Sequence, residues 1–128
     1  MAQPASVVAS VLDELLVESR AEFVEVWKVL WMTRYALCNG DYPIDVQERT
    51  DPIQVRQLAI AVIASALESG VRAGFYSDAK SDEYPPPLST GSPAEVINRL
   101  EKEWDALGHE PTMADLLAGF TSLVTTTA

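Results

Sequence analysis

Apolar residues recur at helical spacing along most of the chain. Val7, Val8, Val11, Leu12, Leu15 and Leu16 form one stripe with Asp13, Glu14 and Glu18 outside it, the pattern of a helix laid against a core. The stretches Phe23–Trp31 and Ile53–Leu67 are apolar almost all round, so they predict two central helices with amphipathic ones packed over them. Punctuation supports this division. Ser19 precedes Glu22 by three residues, Asp51 precedes Gln54, Ser92 precedes Glu95 and Thr112 precedes Asp115. Each pair is, or approximates, a capping box that satisfies the orphan amides of a helix start. Pro52 and Pro93 occupy first-turn positions, where a missing N–H costs nothing. Gly40, Gly70 and Gly108 follow the apolar runs, where a left-handed residue stops a helix. Together these marks predict helices over 5–18, 20–38, 52–69, 93–107 and 112–120. Ser19-Arg20 is either a break or a kink in one longer helix.

One segment reads as strand. Val71–Ser77 follows the Gly70 stop, then a polar tip runs from Asp78 to Glu83, then Tyr84-Pro-Pro-Pro-Leu88. Three prolines remove three ladder donors, so a return strand is short and at an edge. The predicted fold is all-α or mainly α, a compact single domain of four to five helices. It has at most one β-hairpin, at 71–77 and 84–89, an arrangement that would also suit a winged helix. Residues 121–128, rich in Thr, predict a frayed tail. Trp27, Leu30, Leu58 and Ile63 are expected to be buried against one another.

Charge narrows the function classes. Nineteen acids oppose nine bases, for a net charge of −10 in 128 residues. A phosphate-tracking stripe of Lys and Arg is missing, so nucleic acid is not an expected partner. Anionic membrane surfaces are disfavoured for the same reason. No signal-like leader or spanning segment is legible, and the single Cys38 allows no intrachain disulfide, which fits a cytoplasmic location.

Candidate chemistry is sparse. His109 stands alone in a turn beside Gly108, with no nucleophile for it to activate. Cys38 closes an apolar helix and reads as a small buried hydrophobe. Two Cys/His residues are too few for a structural zinc site, and no phosphate loop, calcium loop or dinucleotide fingerprint is present. No enzyme, metal or cofactor is therefore expected. Two acidic groups remain. Glu14, Glu18, Glu22 and Glu25 would share one face of an uninterrupted helix, while Asp41, Asp45, Glu48 and Asp51 crowd the connection before residue 52 with only Arg49 to offset them. The plain reading is a solvated face with capping acids. The sharper one is a docking surface for a basic partner. Trp27 and Trp31 read as core. Phe75, Tyr76 and Tyr84 flank the polar tip and either pack it down or serve as contact anchors.

The passage Leu67-Glu-Ser-Gly-Val-Arg-Ala-Gly-Phe75 and the helix start Gly91-Ser-Pro-Ala-Glu95, with Trp104, resemble small acidic helical immunity partners of bacterial toxin systems over residues 52–107. That resemblance implies a helical protein that neutralises a cognate toxin, and it assigns no individual residue. The expected function is a non-enzymatic inhibitor of a cationic partner such as a basic nuclease. The residues expected to bind the partner are Asp41, Asp45, Glu48, Asp51, Asp78, Asp82, Glu83 and Tyr84. The alternatives are a structural or adaptor homodimer, or a degenerate winged-helix protein that binds a protein or small ligand.

Overall fold

A computed structural model describes residues 2–40, 45–80 and 83–122. Five helices and three short strands follow in the order α1 (Pro4–Glu18), β1 (Val24–Glu25), α2 (Val26–Leu37), α3 (Val46–Arg49), α4 (Pro52–Glu68), β2 (Arg72–Phe75), α5 (Pro93–Leu107) and β3 (Ala118–Thr121). A 3-10 turn at Tyr76–Asp78 follows β2. The fold is mainly α with a small sheet.

The caps behave largely as their chemistry dictates. Ser92 and Glu95 close a full capping box at α5, and Asp51 accepts from the Ile53 amide at α4. Gly40, Gly70 and Gly108 all have positive φ where their helices stop. Helix α1 packs on α2 and α4, and α4 also packs on α2 and α5. Val11, Leu15, Leu30, Val62, Ile63 and Leu100 are buried in this core, and Leu58 joins them. Trp27 and Trp31, expected in the core, are only half-buried. The Trp27 indole turns its N–H to the Glu25 carboxylate at 3.0 Å, which a fully apolar site would not allow.

Three expectations are corrected. The second helix starts at Val26, not at residue 20. Ser19 is buried and donates from Oγ to the Leu16 carbonyl at 3.1 Å, so it ends α1 and does not cap a following helix. Glu14, Glu18, Glu22 and Glu25 consequently do not share one helix face. The single hairpin is replaced by a three-stranded antiparallel sheet in the order β1-β3-β2. Its proline-rich return arm survives as one bridge, Gly74 to Leu88, with the Ser89 amide donating to the Ala73 carbonyl at 2.7 Å.

The third correction concerns the expected helix at 112–120. Thr112 and Asp115 do make capping-type bonds, with the Asp115 carboxylate accepting from the Thr112 amide at 2.8 Å. Those bonds close a turn, and the chain then enters β3. Pairing with both β1 and β2 and burying Leu117, Ala118 and Phe120 outweighs a helix that would be short and would carry Gly119 in its last turn. Thr121, the first residue of the segment expected to fray, is the last residue of β3 and is buried. Residues 123–128 lie outside the described residues.

A buried ion pair ties the C-terminal turn to the bundle. Arg34, 3% exposed, donates twice to the Glu110 carboxylate, at 2.8 and 2.5 Å, and once to Thr50 Oγ1 at 3.2 Å. The planar fork of Arg suits this bidentate geometry, and its guanidinium also lies 5.5 Å from the Trp31 ring centre.

Candidate functional site

Two glycines lay the floor of the candidate site. Gly74 of β2 and Gly119 of β3 are cross-strand partners, and the Phe23 ring rests against both. A Cβ on residue 119 would be driven into the Phe23 ring, and one on residue 74 would sit 3.2 Å from it and 3.0 Å from the Pro86 carbonyl oxygen. Glycine is therefore required here for close approach. Phe23, 7% exposed, in turn carries Tyr76 and Tyr84, each edge-to-face with ring centres 6.0 Å away. This geometry matches the ring quadrupoles.

Tyr76 donates from its hydroxyl to Glu25 Oε1 at 3.3 Å, and Trp27 Nε1 donates to Oε2 at 3.0 Å. Both donors are neutral, and among the described residues no cation pairs with the half-buried Glu25 carboxylate. Burial, with the nearby Glu25 and Tyr84, pushes the Tyr76 hydroxyl far above its usual range, and it remains a donor at all ordinary pH. Around this pair opens a cleft of 590 Å³, walled by Tyr76, Lys80, Glu83, Tyr84 and Leu116. Tyr84 and Leu116 are 64% and 63% exposed, so this wall of the cleft presents apolar surface to solvent. On the other side of Tyr84 lies an apolar slot of 520 Å³ against Phe23, Pro85, Pro87 and Leu88. Tyr84 is the wall shared by the two.

The loop is anchored by Arg99 of α5. It donates twice to Asp78 at 2.8 Å, once to Ser77 Oγ at 2.9 Å and once to Glu103 at 2.7 Å, with its guanidinium 4.0 Å from the Phe75 ring centre. Hydrogen bonding to Arg99 holds the Asp78 carboxyl below the usual range. The Tyr76 amide also donates to the Leu117 carbonyl at 3.1 Å, which brings Leu116 beside the tyrosines.

The residues expected to bind a partner fall into separate groups. Glu83 and Tyr84 line the cleft. Asp78, expected to face a partner, is instead committed to Arg99. Asp45 pairs with Arg49 at 2.9 Å, and Asp51 caps α4. Glu48 is exposed on α3, on a different element from the cleft. Asp41 and Asp82 lie outside the described residues. Sequence reasoning missed Phe23, Glu25 and Leu116 as parts of one site. The available signal was Gly74 and Gly119, glycines inside otherwise strand-like or apolar runs, which mark close approach of another group.

A larger groove, 740 Å³, runs between α4 and α5 past Ile53, Ile60, Trp104 and His109. Its cation is already engaged, since Arg56 pairs with Asp105 at 2.7 Å and lies 4.7 Å from the Trp104 ring centre. His109 is exposed and donates from Nδ1 to the Glu110 carbonyl at 2.9 Å. Among the described residues no group of three or more His, Cys, Asp or Glu is placed to hold a metal ion, and no helix is long and apolar enough to cross a membrane.

Fold and site together define a mainly α domain with a small sheet that carries an acidic, aromatic-walled cleft. Compared with known family models, curated proteins and solved structures, the chain matches none.

Proposed function

We propose that the chain is a non-enzymatic protein-binding module that neutralises a cationic protein, most concretely an immunity-type inhibitor of a basic toxin such as a nuclease. The supporting observation is how its charges are distributed. Lys28, Arg34, Arg49, Arg56 and Arg99 are each paired with a carboxylate, which occupies most of the nine bases. The acid excess therefore faces outward, where it attracts a cationic surface and repels a phosphate backbone. Electrostatic steering of this kind raises association rates toward about 10⁸–10⁹ M⁻¹s⁻¹ at low salt.

Co-purification from native lysate at about 150 mM salt tests the reading, because surface charges still interact over about 8 Å there. A basic protein should be enriched and should be released at about 1 M salt, where screening shortens to about 3 Å. Enrichment of nucleic acid, or of acidic and neutral proteins alone, overturns the proposal. The winged-helix alternative has less support: β2 and β3 are antiparallel neighbours, but the whole of α5 lies between them in the chain.

A further inference from the structure

We infer that the paired cleft and slot around Tyr84 read a two-part element of the partner: one Lys or Arg side chain set beside one bulky apolar side chain. The inference deepens the proposed function and rests on it. Charge complementarity selects the basic half. Glu25 is fixed by two neutral donors and Glu83 stands at the rim, while Lys80 is the one cation among the described residues that line the cleft and forms no ion pair with any of them. The Glu83 carboxylate already accepts from the Lys80 amide at 3.2 Å, so it is held at the mouth of the cleft. An incoming guanidinium would complete Glu25 with charge-assisted bonds in a half-buried setting, where they are stronger than in open water. Its aliphatic stem would lie between Tyr84 and Leu116, as long cationic side chains do on apolar walls.

Apolar complementarity selects the other half. The slot against Phe23, Pro85 and Leu88 is the more enclosed of the two, and its walls are almost wholly carbon. Tyr84 separates the two spaces, so neighbouring side chains of one partner segment straddle its ring. Rigid aromatic anchors with few rotatable bonds lose little entropy in such contacts.

The probe is the peptide acetyl-Leu-Arg-Leu-amide, with acetyl-Leu-Gln-Leu-amide and acetyl-Ala-Arg-Ala-amide as controls. Binding is followed by nitrogen-labelled NMR of the three tryptophan indoles. Only Trp27 donates to Glu25, so Trp31 and Trp104 serve as internal references. The Trp27 indole should shift with the arginine peptide, and each control should bind about tenfold more weakly, the loss expected for one charge-assisted contact or one buried apolar side chain. Glu25→Gln keeps the shape, with the amide oxygen accepting from Trp27 and the amide nitrogen donating to Tyr76, and it should weaken binding about tenfold. Lys80→Ala should tighten it. No response at Trp27, an equal response to the glutamine peptide, or an unchanged affinity in Glu25→Gln overturns the inference. A basic protein that binds wild type and a Glu25→Gln/Tyr84→Ala variant equally well would refute this cleft while leaving the broader acid-excess reading intact.

Discussion

Replacing Gly119 by Ala isolates the contact that builds the site. The added Cβ would meet Cε2, Cζ and Cδ2 of Phe23, a ring already confined between Gly74, Pro86 and two tyrosines. The ring cannot retreat without disturbing those neighbours, so overpacking of about 1–3 kcal/mol is expected. Backbone strain does not contribute, because the φ of Gly119 lies outside the left-handed region. The Ala side chain alone would in fact stabilise by about 0.4–1 kcal/mol through the unfolded state. The two effects separate in a Phe23→Leu background, since Leu has no atoms at the Cε2 and Cζ positions. There Gly119→Ala should cost nothing or should stabilise slightly. Urea unfolding of the four proteins of this double-mutant cycle gives the coupling, expected at about 1–3 kcal/mol. Equal destabilisation by Gly119→Ala in both backgrounds would refute the Phe23 contact as the reason for glycine at 119, and with it the account of how the cleft is positioned.

Four further outcomes are expected. Arg34→Lys should destabilise nearly as much as Arg34→Ala in thermal unfolding, because an ammonium cannot make the bidentate contact. The loss should fall at the lower end of about 3–5 kcal/mol, since Glu110 is 28% exposed. Ser92→Ala should cost about 1 kcal/mol by removing the α5 cap, and amide exchange should quicken first at the start of that helix. Burial, then repulsion from Glu18, raises the Glu14 carboxyl, so the folded state holds that proton more tightly than the unfolded one. Its stabilising share is present below its ordinary value of 4.5 and lost as pH rises through the folded value. Glu14→Gln should therefore gain a few tenths of a kcal/mol at neutral pH. The gain should vanish in melts below about pH 4. Finally, the Glu48→Lys/Glu83→Lys variant should associate about tenfold more slowly with a cationic partner at low salt and approach wild type at about 1 M in stopped-flow mixing. An unchanged on-rate would remove both residues from the steering surface.

Local signals were readable from the sequence wherever the deciding forces were local. Asp51, Ser92 and Gly108 act through bonds to residues within a turn and Pro52 through its fixed φ, and the helices they bound lie where the pattern predicts them. The errors occurred where distant partners decide. Thr112-x-x-Asp115 forms its short-range bonds as expected, yet β1 and β2, far back in the chain, claim the following residues for a strand. Ser19 has the composition of an N-cap, but its backbone carbonyl accepts from Ser122, so the turn there is set from the opposite end of the molecule. The same limit governs the site. Tyr84 and Glu83 were identified from an exposed polar tip. Glu25 reads from the sequence as part of a helix over 20–38, because nothing near it reveals that it belongs to a strand and that α2 starts only at Val26. Leu116 was hidden inside a helix that does not form.

The strand order carries a consequence for how the molecule is made. β3 is the central strand, and it follows both of its neighbours in the chain. During synthesis β1 and β2 emerge first, as short edges whose amides and carbonyls have no sheet to join. Contacts among α1, α2 and α4 can form in the meantime, because all three helices precede β2 in the chain. The sheet must wait for the last strand to be translated, and with it the floor under Phe23 and the cleft built on that floor. A nascent chain stalled before residue 118 would thus carry both edge strands and the helices that precede β3, but not the cleft built on Phe23.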